Sequence, residues 1–64
     1  MKRFPKFPFK AEVRDAFGRP YIGTVVEKRT FFLNALRRNI TEYRVVDSDG
    51  KNMPRYERDI TPIL

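Results

Sequence analysis

Cysteine, histidine and tryptophan are all absent from this chain of 64 residues. Without cysteine it cannot be a disulfide-linked mini-protein of the secreted kind. Without histidine as well, it lacks the usual ligands of zinc and copper. The same two residue types supply common nucleophiles and general bases of enzymes. We therefore expect a non-enzymatic protein that needs no metal or other cofactor.

Long apolar runs are missing too. No stretch approaches the roughly 18 apolar residues that a membrane-spanning helix requires. The N-terminus, MKRFPKFPFK, is positively charged like the start of a signal peptide. Its prolines and its returning lysines, however, leave no apolar region behind those charges. We expect a cytoplasmic protein whose partner is not a membrane.

Acidic residues are outnumbered by basic ones. Fourteen lysines and arginines stand against eight aspartates and glutamates, which gives a net charge of +6 and a pI of about 10.2. Such an excess favours nucleic acid as a partner, and after it acidic protein surfaces. A chain this short buries only about 60% of its unfolded surface, so we expect one domain with a thin core. Formation of a homo-oligomer would add to its stability.

Residues 1–8 are basic and aromatic, and their two prolines favour an extended path. We interpret them as an N-terminal arm that precedes a single domain over residues 9–64. From Phe9 the sequence alternates strictly between apolar and charged side chains through Val13, which is typical of a half-buried strand. Phe4 and Phe7 of the arm are expected to pack against the domain.

Residues 21–32 are rich in β-branched and aromatic side chains and predict a second strand. Gly23 within it indicates a bulge or a close approach of two backbones. Residues 40–47 predict a third strand, with Tyr43 on its apolar face. The predicted core consists of Val13, Val25, Tyr43, Val45 and Ile60.

Residues 33–39 leave two alternatives open. Phe32, Leu36 and Ile40 recur at the four-residue spacing of one helical face, which favours a helix over residues 28–39. The β-like composition before this segment favours instead a strand followed by a short loop or a single turn. The fold class predicted on either alternative is mostly β.

The second half of the chain contains its clearest turn. Gly50 follows an aspartate, and glycine accepts a positive φ at little steric cost. A short strand follows the turn. Its proline, Pro54, cannot donate a hydrogen bond to a neighbouring strand, so we place this strand at a sheet edge.

Four short motifs resemble those of SH3-like small β-barrels of the Tudor and KOW kind. They are Gly23-Thr24-Val25, Tyr43-Arg44-Val45, Asp49-Gly50 and Asp59-Ile60-Thr61-Pro62. The resemblance covers roughly residues 9–63 and implies a barrel of four to five antiparallel strands. It also implies a module that binds nucleic acid, peptides or partner proteins, among which fold alone does not choose. Tudor domains that read methylated side chains use an aromatic cage. The nearest matches here are Phe17, Tyr21 and Tyr43, and the alternative is that these rings fill the core.

Basic side chains flank an aromatic pair in the middle of the chain and recur in the arm. Cations and rings presented together contact phosphates and stack on bases, although the rings of this segment would also suit the core. The candidate residues for binding nucleic acid or a partner are Lys2, Arg3, Lys6, Lys28, Arg29, Arg37 and Arg38, with Phe31, Phe32 and Tyr21 as candidate aromatic contacts.

Two functions fit these features. The first is binding of DNA or RNA with little sequence specificity, through the basic loops and the arm. The alternative is a small viral or plasmid-type accessory protein that docks on an acidic surface of a cellular protein. Both predict salt-sensitive binding, but only the first predicts that generic nucleic acid is retained.

Overall fold

The computed structural model describes residues 3–63, and the folded part of that range is built from antiparallel β-strands. The strands are β1 (Phe9–Arg14), β2 (Pro20–Leu33), β3 (Arg38–Val46), β4 (Asn52–Arg55) and β5 (Ile60–Pro62), with a 3₁₀ turn, Glu57–Asp59, before β5. The prediction of a mostly β fold with four to five antiparallel strands is confirmed. Within residues 3–63 there is no helix long and apolar enough to cross a membrane.

The strands form one sheet in the order β4-β3-β2-β1-β5. β4, which contains Pro54, and β5 therefore lie at the two edges, as the missing amide hydrogen of proline led us to expect for β4. No hydrogen bonds join these edges to each other in the part of the chain that is described. The sheet is thus not closed into a barrel, although its small size and all-antiparallel pairing are compatible with a small β-barrel-like fold.

The middle segment is a hairpin. β2 continues to Leu33, residues 34–37 form a turn, and β3 begins at Arg38. The helix over residues 28–39 is therefore wrong, and the alternative of a strand followed by a single turn is confirmed. Cross-strand pairs such as Phe31 with Ile40 set aromatic and β-branched side chains beside each other, an arrangement that sheets favour over helices.

The core lies on one face of the sheet. β1 buries Phe9, Ala11 and Val13 and exposes the charged residues between them, as its alternation predicted. The five predicted core residues are all buried, which confirms that prediction. The full core cluster comprises Phe9, Ala11, Val13, Val25, Tyr43, Val45 and Ile60, with Phe4 and Tyr21 packed against it. Each fully buried valine or isoleucine stabilises the fold by roughly 1.5–3 kcal/mol, so a core of this size leaves little in reserve.

Gly23 marks a close approach between β2 and β3. A Cβ atom at this position would lie 2.7 Å from Cγ1 of Val45 and 3.2 Å from the carbonyl oxygen of Val46. Only glycine leaves room for this packing without a shift of its neighbours. The close approach is confirmed, whereas the bulge in β2 lies further along, between Val25 and Glu27.

Asp15 and Asp47 organise the two loops that follow β1 and β3. In each loop the aspartate Oδ1 accepts hydrogen bonds of 2.9–3.0 Å from the backbone N–H groups two and four residues later. Gly18 and Gly50, with φ of 78° and 81°, supply the positive φ that each loop requires. The turn predicted at Gly50 is confirmed. The hydrogen bond from Arg19 N–H favours the charged carboxylate and so lowers the pKa of Asp15 below its ordinary value.

Candidate functional site

The bulge in β2 decides which face of the β2–β3 hairpin each side chain occupies. The register shifts by one residue between Val25 and Glu27, after which Lys28 lies opposite Tyr43. Residues directly opposite each other in an antiparallel pair project to the same face. Lys28 therefore lies on the face that carries the core, which we call the inner face, and its neighbour Arg29 lies on the outer face.

The inner face continues beyond the core along the hairpin. It carries Lys28, Thr30 and Phe32 from β2, opposite Tyr43, Thr41 and Asn39 from β3. The two threonine hydroxyls form a hydrogen bond of 3.0 Å. Phe32 is 58% exposed, and Lys28 is also exposed. This part of the inner face is thus an open, mostly polar surface with one ring and one cation.

The N-terminal arm packs over the inner face. The ring of Phe4 meets that of Tyr43 edge-on at 5.0 Å between centroids and lies 5.4 Å from that of Phe9. Phe7 stacks on Phe9 at 5.7 Å yet remains 42% exposed. The expected packing of both arm rings against the domain is confirmed. Because Tyr43 is also the cross-strand partner of Lys28, the arm and Lys28 share one face of the molecule.

The arm brings exposed charge to this face. Arg3 and Lys6 are both exposed and flank Phe4 in the chain. Lys2, the third predicted cation of the arm, lies outside the described residues. The inner face therefore carries Lys28 and the exposed ring of Phe32, and the arm that packs over it adds the exposed ring of Phe7 and two exposed cations.

The outer face of the hairpin is largely charge-balanced. Arg29 forms an ion pair of 2.9 Å with Glu42, and Arg44 forms one of 3.2 Å with Glu27. The Arg29 guanidinium also lies 5.2 Å from the ring centroid of Phe31. Arg29 thus has both an acidic and an aromatic partner inside the protein, and these compete with an external phosphate for its guanidinium.

The tip of the hairpin carries two further predicted cations. Hydrogen bonds of 3.2 Å from Leu36 N–H to the Leu33 carbonyl and from Arg37 N–H to the Asn34 carbonyl close the turn. Arg37 adopts a left-handed conformation with φ of 51°. Arg37 and Arg38 are exposed and take part in neither of the hairpin's two ion pairs. Their guanidinium groups are available to an external anion.

The predicted aromatic contacts do not form one group. Phe31 and Phe32 are adjacent on a strand and therefore project to opposite faces. Tyr21 lies at the far end of β2, opposite Val13, and packs against the core. Phe7, which the sequence assigned to packing, has an exposed ring beside Lys6. The alternation of rings and cations in the arm was a usable signal for it.

An apolar strip along the hairpin tip was missed from the sequence. Leu33 and Leu36 at the tip and Tyr56 after β4 are each more than a third exposed. They line one groove although 20 residues separate the last two. Such a grouping depends on the path of the chain after β4, and no local pattern encodes it.

Neither a metal-binding cluster nor a similar protein points to another site. Within residues 3–63, no group of three or more histidine, cysteine, aspartate or glutamate side chains could hold a metal ion. No protein-family model matches the chain, and no curated protein or solved structure matches it.

Proposed function

We propose that this chain is a non-enzymatic module that binds nucleic acid through its inner face and the tip of its hairpin. The observation that carries the proposal is a set of exposed cations that take part in neither hairpin ion pair, in a molecule whose inner face also carries exposed rings. The set consists of Arg3, Lys6, Lys28, Arg37 and Arg38. We further propose that the domain is a relative of the SH3-like barrels of the Tudor and KOW kind.

Phosphates and bases would be contacted by different groups. Lysine and arginine side chains that neutralise phosphates release condensed counterions, which supplies affinity without sequence specificity. Exposed rings such as Phe7 and Phe32 offer flat surfaces on which unpaired bases stack, each worth about 1–3 kcal/mol. Arg29 contributes less in this scheme, because Glu42 already neutralises it at 2.9 Å.

The experiment compares two double variants that each remove two positive charges. The site variant is Lys28→Gln with Arg37→Asn, since asparagine tolerates the positive φ at position 37. The control is Lys10→Gln with Lys51→Gln. Lys10 projects away from the core on β1, and Lys51 lies in the loop before β4; both are exposed. Affinity for a generic single-stranded oligonucleotide is measured by fluorescence anisotropy over a range of salt concentrations.

We expect the wild-type affinity to fall steeply as salt rises, with a log–log slope of about −0.7 per phosphate contact. The site variant should weaken binding and flatten the slope by about two contacts' worth, whereas the control should change the slope much less. Equal losses in both variants would indicate diffuse attraction without a site and would contradict the proposal. No binding by the wild type at physiological salt would favour docking on an acidic protein surface instead.

A further inference from the structure

One segment of β3 has an open edge. β4 pairs only with Tyr43–Val46, so Arg38–Glu42 has β2 on one side and, within residues 3–63, no strand on the other. The backbone N–H and C=O groups on the free side of such a strand are a template for pairing with another strand. This open edge belongs to the end of the β2–β3 hairpin that projects beyond the core, where the opposite edge, Lys28–Leu33 of β2, also has no strand beside it within residues 3–63.

Apolar side chains lie beside the open edge. A groove of about 920 Å³ runs beside it, lined by Phe31, Leu33, Leu36, Ile40 and Tyr56 with Arg38 and Arg58 among them. Leu36 is 54% exposed and Tyr56 is 46% exposed. An apolar strip next to unpaired backbone groups is unfavourable in water and favours an occupant that covers both.

The sequence of the open edge is complementary to itself. When two copies pair antiparallel about a twofold axis at Ile40, Arg38 of one copy lies opposite the partner's Glu42, and the reverse holds by symmetry. Ile40 then lies opposite the partner's Ile40. Arg38, Ile40 and Glu42 alternate along β3 and so project to one face. Each copy would thus supply both halves of two cross-strand ion pairs around an apolar centre.

We propose that the occupant of this edge is a second copy of the chain, paired through Arg38–Glu42 of β3. Charge supports this choice: the protein carries +6, which makes copies repel, yet the paired segment contains one arginine and one glutamate and is neutral. On the opposite face Asn39 of each copy lies opposite the partner's Thr41, and the two side chains can form hydrogen bonds. A contact of five residues is small beside a standard interface of about 1,600 Å², so the dimer is weak and reversible.

The test measures the dimerisation constant of the full chain by sedimentation equilibrium, without nucleic acid. Arg38→Glu and Glu42→Arg each replace two attractive cross-strand pairs by two repulsive ones and should weaken dimerisation on the order of tenfold. The double variant Arg38→Glu/Glu42→Arg keeps the net charge and restores both pairs, so its affinity should return towards that of the wild type. An equimolar mixture of the two single variants should dimerise better than either alone.

A further variant avoids the hairpin's own ion pairs. Glu42→Arg removes the partner of Arg29 and could disturb the hairpin itself, whereas Ile40→Lys leaves both ion pairs in place. Two lysines would then meet at the twofold axis, and dimerisation should be abolished while the circular dichroism spectrum stays that of the wild type.

The proposal is overturned if the wild type is monomeric at every concentration, if the double variant and the mixture fail to recover, or if Ile40→Lys still dimerises. These results do not depend on nucleic-acid binding, because dimerisation is measured without nucleic acid and Ile40→Lys alters none of the proposed phosphate contacts. An acidic peptide that occupies the edge of a strictly monomeric protein would likewise replace the second copy as the occupant.

Discussion

Tyr43 connects the core to the N-terminal arm. Its ring is only 8% exposed and contacts Phe4 and Phe7 from the arm. Burial disfavours the charged phenolate, and the nearby carboxylate of Glu57 adds to this effect, so the pKa of Tyr43 is raised above its ordinary value of about 10. Because the rings of the arm contribute to the burial of Tyr43, packing of the arm favours the neutral form of this side chain.

This pKa shift predicts a loss of stability in alkali. Above pH 10 the unfolded chain releases the Tyr43 proton while the folded chain retains it, so the unfolded state binds fewer protons and the free energy of unfolding falls as pH rises. Tyr43→Phe removes this contribution. We expect urea unfolding to show a smaller decline above pH 10 for the variant than for the wild type. Parallel declines would contradict the assignment, because every other titrating group is common to both proteins.

Arg37 is the one described non-glycine residue with a positive φ, 51°. A left-handed conformation costs an L-residue roughly 1–2 kcal/mol, and glycine avoids this cost but loses about 0.5–1 kcal/mol of chain entropy. Arg37→Gly should therefore stabilise the protein by about 0.5–1 kcal/mol in urea unfolding. Arg38→Gly, which removes the same charge from a strand, should instead destabilise it. Equal effects of the two substitutions would exclude strain at residue 37.

The β2–β3 hairpin illustrates which structural features the sequence could predict and which it could not. Period-two alternation predicted β1 and β3 and the buried residues on them, because one buried face imposes that pattern directly. Composition predicted β2. The bulge between Val25 and Glu27 contains no glycine or proline that would predict it from the sequence. A single inserted residue moves every later side chain to the other face. The sequence therefore could not predict that Lys28, rather than Arg29, lies on the inner face.

The sequence also could not predict the ion pairs of the hairpin. Arg29 and Glu42 are 13 residues apart and meet only because the register after the bulge places them opposite each other. Without that register, Arg29 counted as one more free cation. The charge of a candidate site can be read from composition, but the charge that remains available depends on cross-strand neighbours.

The fold as a whole depends on the N-terminal arm for more than charge. Phe4 packs against the core cluster, and the rings of Phe4 and Phe7 cover Phe9 and Tyr43, each of which keeps 8% of its surface exposed. A domain this small has few other apolar contacts to substitute for them. The arm therefore has two roles: its rings complete the core, and its described cations, Arg3 and Lys6, are exposed to solvent.

These two roles predict opposite outcomes for two sets of substitutions. Truncating a fully buried phenylalanine costs about 3–5 kcal/mol, and Phe4 is half-buried, so Phe4→Ala should lower the free energy of unfolding by about 2 kcal/mol. Arg3→Gln with Lys6→Gln alters only exposed side chains and should change that free energy by less than about 0.5 kcal/mol. The charge variant should nevertheless bind an oligonucleotide more weakly, with a salt slope flatter by roughly two contacts' worth.

Urea unfolding measures the stability of both variants, and fluorescence anisotropy on the same samples measures their binding. If removing the charges destabilised the protein as much as removing the ring, the cations of the arm would have a structural role. If the salt slope stayed unchanged, Arg3 and Lys6 would not be among the proposed phosphate contacts.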